Sequence, residues 1–392
     1  MKIVFTGGGT GGHFYPIIAV AEAIREIVAE RHLVAPKLYF FAPAPYDEES
    51  LFANDIAFVQ IPAGNMRRYF SLKNISNFFL TIWGIFVSIG KMFSVYPDVV
   101  FSKGGFGSVP VVIAAKLLDI PVIIHESDSK PGRANLLASH FADRVGIAFE
   151  SSAHYFPKRA QSKLALIGIP IRREVARAEP EGAKQELGLD VALPTVFIFG
   201  GSTGSARINE TILGALPDLV AIGNVIHQTG KAAIKEVEAT AKAELSKDPN
   251  ASHYHPFAYL NAESIRRAAG AADVIVARAG STSIAEISLW KKPAILIPIP
   301  ESVSHDQRSN AYAYARTGAA VVLEEENLTP HLLASEIRRI VSDKSLTGDM
   351  AAKGAAFMPG DAAKLIAEEV LRISLAHEPQ EVREVLLPAR DL

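Results

Sequence analysis

Phe5-Thr6-Gly7-Gly8-Gly9-Thr10-Gly11-Gly12-His13-Phe14-Tyr15-Pro16 joins an apolar run, Ile3 to Phe5, to a stretch of helical periodicity. In that stretch Ile17, Ile18, Val20, Ala21, Ile24, Ile27 and Val28 share the buried side. A strand that turns through glycines into a helix opens a doubly wound α/β domain. Glycines at such a turn let the backbone approach a ligand closely. They also aim N–H groups at negative charge, with the helix N-terminus behind them. A tight turn that holds no ligand is the plainer alternative, but five glycines exceed what a turn needs. His13 stands at the rim, where a histidine serves as helix cap, phosphate donor or general base.

The pattern continues with strands at 2–5, 37–41, 58–61, 99–102, 122–125 and 144–148, and helices at 15–29, 47–54, 74–93, 109–118 and 132–141. Apolar strands without alternation, joined through helices, predict a parallel sheet covered on both faces. Near Thr195 the pattern restarts: Thr195-Val-Phe-Ile-Phe199 leads into Gly200-Gly201-Ser202-Thr203-Gly204-Ser205 and a helix over 208–219. Asp98-Val-Val-Phe-Ser-Lys-Gly-Gly105 and Asp273-Val-Ile-Val-Ala-Arg-Ala-Gly280 share one offset from aspartate to glycine, and a helix follows each. The chain therefore predicts two Rossmann-like domains, 1–163 and 164–350, hinged near 164–173. A helix near 361–375 is expected to pack back on the first domain, and the charged tail 376–392 to be loosely ordered.

At 392 residues two domains are the default, and a net charge of -2 gives no bulk attraction to nucleic acid. Without cysteine there are no disulfides, thiolate nucleophiles or Cys-ligated metals. The sequence opens on a core strand, so no signal peptide is expected. Between Lys73 and Lys91 lie 17 uncharged residues interrupted by Asn, Ser, Thr and Gly, marginal for spanning a bilayer. Phe78, Ile82, Ile85, Phe86 and Ile89 fall on one side of this helix, and Phe79 and Trp83 broaden it. With Arg67, Arg68 and Lys73 beside it, such a face suits an anionic membrane surface; the alternative is plain core.

Gly7 to Gly12 satisfies the dinucleotide pattern G-x-G-x-x-G, which demands an acid at the end of the second strand. That strand ends Phe40-Phe41-Ala42-Pro43 and Asp47 lies too far on, so NAD or FAD is disfavoured; a P-loop fails for want of Gly-Lys-Ser/Thr. Gly200–Ser205 is a second phosphate-fit loop. In Arg278-Ala-Gly-Ser281-Thr282-Ser283-Ile-Ala-Glu286, small residues open a helix whose N-terminus suits a diphosphate, unless Ser281 merely caps it. Glu286 is placed to accept from ribose hydroxyls. His305 and Asp306 invite a metal or dyad reading, but no further ligand stands at helical spacing. His125-Glu126-Ser127-Asp128 ends a buried strand in polar residues: Glu126 is either a site carboxylate or a structural acid at a helix terminus. Arg172 can reach phosphate or carboxylate from the hinge.

Together these stretches resemble the MurG family, the family 28 peptidoglycan glycosyltransferases that move N-acetylglucosamine from UDP-GlcNAc to lipid I. The resemblance runs over about residues 1–375. Its carriers are Gly8-Gly9-Thr10-Gly11-Gly12-His13 with Pro16, Lys103-Gly-Gly-Phe-Gly-Ser-Val-Pro110, His125-Glu126, Gly168-Ile-Pro-Ile-Arg172, Gly200-Gly-Ser-Thr-Gly204, Arg278 to Glu286, and Gln307 with Asn310-Ala311. It implies a GT-B fold, two Rossmann-like domains with parallel sheets facing across a cleft, the first for acceptor and membrane and the second for donor. By position it implies His13 as base. It sets Thr10, Gly11, Gly12, Asp128 and Gln307 near the donor sugar and Arg172, Ser202, Ser281, Thr282 and Ser283 near the diphosphate. Glu286 would meet the ribose and Ala258 the uracil. Gly8, Gly9, Gly104, Gly105, Ser108 and Glu126 would meet the acceptor, and Phe78, Phe79, Ile82, Trp83 and Phe86 the membrane. No cofactor, metal or nucleic acid is implied, and the expected location is peripheral, on the cytoplasmic face of the cell membrane. The family usually continues His-Glu with Gln-Asn, where this chain has Ser127-Asp128; an ionised carboxylate accepts but does not donate. The rival readings are a GT-B enzyme with another lipid acceptor and a non-catalytic UDP-sugar-binding protein at a membrane.

Overall fold

The computed structural model describes residues 1–65, 73–201, 204–303, 306–358 and 360–376, and they form two compact units divided after Arg172. In the first, seven parallel strands run β1 (Lys2–Thr6), β2 (Lys37–Ala42), β3 (Ile56–Gln60), β4 (Val99–Ser102), β5 (Val122–Glu126), β6 (Arg144–Ile147) and β7 (Leu164–Leu166), in the order β3-β2-β1-β4-β5-β6-β7. β1 and β4 are apolar on both faces because helices cover both faces of the sheet. β7 falls within the stretch assigned to the hinge; three residues on a sheet edge are too short for periodicity to reveal.

Chain direction across the sheet reverses between β1 and β4. Thr6 pairs with both Phe41 and Ser102, so the loops that follow β1 and β4 leave the sheet side by side. This is the topological switch point at which open α/β sheets bind ligands. The first helix starts at Gly11, not Tyr15, and runs to Glu30. Pro16 lies inside it and has no N–H to give the Gly12 carbonyl. Along its other side packs the helix Ala362–Ala376: Ile366, Ala367, Val370 and Leu371 join Ile17, Ile24 and Val28 in one apolar cluster. Each large aliphatic side chain buried there contributes about 1.5–3 kcal/mol. Arg31–Glu368 at 2.9 Å and Arg144–Glu369 at 2.7 Å border the contact.

The helix Lys73–Val95 packs one narrow stripe inward. Gly84, Ser88 and Met92 are buried, and a Cβ on Gly84 would lie 1.9 Å from the Pro62 carbonyl oxygen. Outward stand Phe78, Phe79, Trp83 and Phe86, each at least half exposed, whereas Ile82 is half-buried. By length and composition this helix could cross a membrane, yet one stripe of it is packed against its own unit.

The second unit repeats the winding with β8 (Thr195–Phe199), β9 (Asn224–Gln228), β10 (Tyr254–Phe257), β11 (Val274–Ala277), β12 (Ala294–Leu296) and β13 (Ala320–Val322), in the order β10-β9-β8-β11-β12-β13. The repeated aspartates perform one task twice. Asp98 takes the Lys2 amide on its carboxylate at 2.6 Å and returns its own amide to the Lys2 carbonyl at 2.9 Å. Asp273 does the same for Thr195, at 2.8 Å both ways. Each pins the start of the central strand beside its neighbour.

Gly105 has φ +80, and a Cβ there would sit 2.7 Å from the Gly8 carbonyl oxygen. Gly105→Ala is expected to cost about 2–4 kcal/mol in urea unfolding, from left-handed strain plus a backbone clash. Gly90→Ala, where a Cβ meets nothing within 4 Å, should be neutral or slightly stabilising.

Candidate active site

In the first unit the glycine loops after β1 and β4 lie backbone to backbone. A Cβ on Gly8 would meet Gly107 Cα at 3.2 Å, and one on Gly104 would meet the Asn135 amide at 2.8 Å. Gly8, Gly9, Gly104 and Gly105 thus serve loop packing whatever ligand they border. Ser108 is buried and donates to the Gly105 carbonyl at 2.9 Å.

His13 sits in the first turn of its helix, half-buried, with Nδ1 2.9 Å from Thr10 Oγ1. Its backbone amide donates to the Thr10 carbonyl at 3.1 Å. Burial, and then the positive charge of Lys103, lower its pKa to about 4 against an opposing pull from Asp128. The ring is therefore neutral at physiological pH. In the tautomer whose Nδ1–H donates to Thr10, Nε2 keeps the lone pair a base needs.

Below the loop is a buried polar cluster. Lys103 is 2% exposed and donates from Nζ to Ser127 Oγ. Burial brings its pKa down to about 8, while Glu126 and Asp128 pull it up. The Glu126 carboxylate accepts from the Asp128 amide, the Gly132 amide and Asn135 Nδ2, each at 2.9 Å. Gly132 precedes the helix Arg133–Ala138, so its bond engages this side chain beside a helix terminus. Burial, then the neighbouring Asp128, raise its pKa. His125 Nε2 donates to the Gly168 carbonyl at 2.7 Å, and burial holds the ring neutral. Arg172 stacks over Tyr15, 4.1 Å from its ring centre, and the Tyr15 hydroxyl reaches Asp47 at 3.4 Å.

The second unit places equivalent loops after β8 and β11. Gly204 has φ +79 and no room for a Cβ, which would lie 2.1 Å from the Thr229 carbonyl oxygen. Arg278, 9% exposed, donates to Ser205 Oγ at 2.7 Å, Glu325 at 2.5 Å and the Ile297 carbonyl at 3.2 Å. It locks three segments around the loop mouth. The helix Ser281–Trp290 begins at Gly280 with no side-chain cap, so Ser281, Thr282 and Ser283 open it with their amides. That removes the capping alternative for Ser281. Glu286 lies one turn in and Ala258 just past β10, both half-buried. Gln307 opens the helix Gln307–Ala315 and accepts the Ile299 amide at 3.3 Å.

Two domain families match these halves: the Glycosyltransferase family 28 N-terminal domain over residues 3–147 and its C-terminal domain over 195–366. A Bacillus anthracis protein named UDP-N-acetylglucosamine--N-acetylmuramyl-(pentapeptide) pyrophosphoryl-undecaprenol N-acetylglucosamine transferase 2 is 36% identical over 340 residues, 86% of this chain and 91% of that one. The chain belongs to glycosyltransferase family 28. A Treponema denticola relative named as the same transferase is 32% identical over 94% of this chain and 97% of its own. Acinetobacter baumannii MurG shares the fold, with TM-score 0.73 and 23% identity over 95% of this chain and 99% of that one. So does UDP-GlcNAc 2-epimerase from Neisseria meningitidis, at TM-score 0.64 and 14% identity over 95% and 100%. The architecture is GT-B.

As a family 28 member the chain keeps His13, Thr10, Gly11 and Gly12 together at the first loop, with Asp128 close enough to act on His13. Ser202 and His305 lie outside the described residues, as do Arg67, Arg68 and the tail beyond Ala376. Lys103 and Gln228 escaped the sequence reading as site residues. Gln228 donates to the Gly201 carbonyl at 3.2 Å and accepts the Leu260 amide at 2.9 Å, joining two loops. The polar end of its strand, His227-Gln228, was the signal for it.

Beneath those loops His227 is fully buried. Its Nε2 donates to Asn209 Oδ1 at 3.1 Å, and its Nδ1 accepts from the Tyr254 hydroxyl at 2.9 Å. Burial lowers its pKa to about 3. The unfolded chain takes this proton below about pH 6.5 while the folded chain refuses it, so stability falls as pH drops. The expected slope from His227 is about 1.4 kcal/mol per pH unit between roughly pH 6 and 4. Unfolding followed through Trp290 in a Trp83→Phe background should show it, and His227→Gln should flatten it.

Proposed function

We propose that this chain transfers N-acetylglucosamine from UDP-GlcNAc to the muramyl 4-hydroxyl of lipid I, with inversion, giving lipid II for peptidoglycan synthesis. The observation that carries the reading is a neutral histidine, tied to Thr10, at the mouth of the first glycine loop in a family 28 chain. The acceptor oxygen attacks the anomeric carbon opposite UDP. The new C–O bond forms as the bond to the diphosphate breaks, and the hydroxyl proton passes to His13 Nε2. An arriving acceptor diphosphate adds negative charge, which raises the proton affinity of the ring toward the range where a base works well. The departing UDP is stabilised by the amides opening Ser281–Trp290, with Arg172 near the diphosphate. Within the second unit Glu286 holds the ribose, the backbone at Ala258 meets the uracil, and Gln307 faces the donor sugar.

The exposed face of Lys73–Val95 docks peripherally on the cytoplasmic leaflet, where the undecaprenyl chain is anchored. Phe79, Trp83 and Phe86 recur at helical spacing with 60–63% exposure, a wide apolar surface for a soluble domain to leave bare.

Purified protein given UDP-GlcNAc and a lipid I analogue should form the disaccharide; no product sinks the reading. His13→Ala should lower kcat by about 10²–10⁴-fold with UDP affinity kept, and an equal loss of both would remove His13 from the base role. Trp83→Glu should weaken binding to anionic liposomes with folding intact; unchanged liposome binding would turn that face to another use.

A further inference from the structure

We propose that Gln228 is a positioning residue of the donor side: one buried amide that holds the glycine loop after β8 and the loop after β10 at a fixed separation, so that a nucleoside diphosphate can engage both at once. This deepens the reading of UDP-GlcNAc as donor and rests on it.

Gln228 ends β9, the strand that lies between β8 and β10 in the second sheet. It pairs with Phe199 on one side and Phe257 on the other, at the last rung the three strands share. The side chain is 3% exposed and serves the backbone of both neighbours. Its Nε2 donates to the Gly201 carbonyl at 3.2 Å, and its Oε1 accepts the Leu260 amide at 2.9 Å. Thr229, the next residue, adds a backbone link: its amide donates to the Phe257 carbonyl at 2.9 Å, and its carbonyl accepts from Asn209 Nδ2 at 3.0 Å. The loop after β8 is held on its other side as well, where Arg278 donates to Ser205 Oγ at 2.7 Å. β8 and β10 stand two strand spacings apart, about 10 Å, a span comparable with that from base to phosphates in a nucleoside diphosphate. Gly201 belongs to the loop fitted for phosphate, and Leu260 follows closely on Ala258, whose backbone the donor reading sets against uracil. A methionine would fill much the same volume without a buried amide to satisfy. What glutamine adds is a donor and an acceptor, each engaged with a different loop. A ligand that binds two loops gains from both only while their separation matches its own. Loosening the tie removes that joint gain and leaves each half-site intact.

The test measures UDP binding by the full chain, with uridine and inorganic pyrophosphate as the two half-ligands, beside donor and acceptor KM. Gln228→Met should weaken UDP about tenfold and raise donor KM to match. Acceptor KM, and the binding of uridine and of pyrophosphate, should stay within about twofold of wild type. Gln228→Glu keeps an acceptor for the Leu260 amide but sets a carboxylate oxygen against the Gly201 carbonyl, and only its protonated form can donate there. Relative to wild type, UDP affinity of that variant should therefore recover as pH falls toward about 5. Unchanged UDP affinity in a folded Gln228→Met would overturn the proposal. So would a loss of half-ligand binding as large as the loss of UDP, which marks a general loss of structure. Should Gln228→Met fail to fold, Gln228→Glu decides alone, and a UDP affinity that follows wild type at every pH overturns the tie. If the wild-type chain does not bind UDP, the donor reading and this inference fall together; UDP binding that ignores Gln228 sinks the inference alone.

Discussion

The close approach of two loop backbones at the switch point governs the rest of the first unit. Where β1 and β4 end in register, the chain must leave the sheet twice within a few ångströms, and the Gly8 carbonyl then faces Gly105 with no space for a side chain. Only glycine satisfies both the left-handed backbone and the contact. This constraint fixes where the helix Gly11–Glu30 begins, and so where His13 projects. It also makes a floor of Lys103, whose backbone is tied to Thr6. The glycines were first legible as a ligand motif. Their packing role and any ligand role coexist, because a loop with no side chains is both able to nest and open to approach.

Much of the architecture was legible for a simple reason. Strands buried on both faces are written as unbroken apolar runs, and the two halves repeat one arrangement down to the aspartate that anchors the central strand. Asp98 and Asp273 stood out in the sequence by their matched offset alone; the structure supplies the cause, a paired hydrogen bond to the first residue of β1 and of β8. What escaped the sequence was short or long-range. β7 has three residues, too few to show a period. Gln228 and Arg278 act by reaching across loops distant in sequence, such as Arg278 to Glu325, and pattern reading has no access to such pairs. His125-Glu126 was visible as a polar strand end, yet whether Glu126 was a site carboxylate or a structural acid beside a helix depended on where Asn135 and Gly132 fold.

The electrostatics of the first loop follow from burial more than from net charge, which is close to zero. Taking His13 out of water favours its neutral form, and the adjacent ammonium pushes the same way. A ring held like this stays unprotonated well below neutral pH, and negative charge beside it raises its proton affinity. Under the proposed transfer, an anionic substrate would supply that charge and so tie the strength of His13 as base to occupancy. The resemblance to family 28 could point to His13, but not to this balance, because Lys103 and Asp128 lie far apart from His13 in sequence.

The helix Lys73–Val95 shows how hydropathy alone misleads about which face is buried. Its strongest apolar residues are aromatic, and a reader of periodicity assigns them either to core or to membrane without a way to choose. Sterics decide it. The neighbouring Pro62 carbonyl and Pro110 ring come so close that only Gly84 fits at the contact, with Ser88 one turn on. With Gly84, Ser88 and Met92 turned inward, Phe79, Trp83 and Phe86 lie on the opposite, exposed side. In the proposed membrane reading this face is already ordered in a folded helix before docking, which lowers the ordering cost compared with a segment that must fold as it binds.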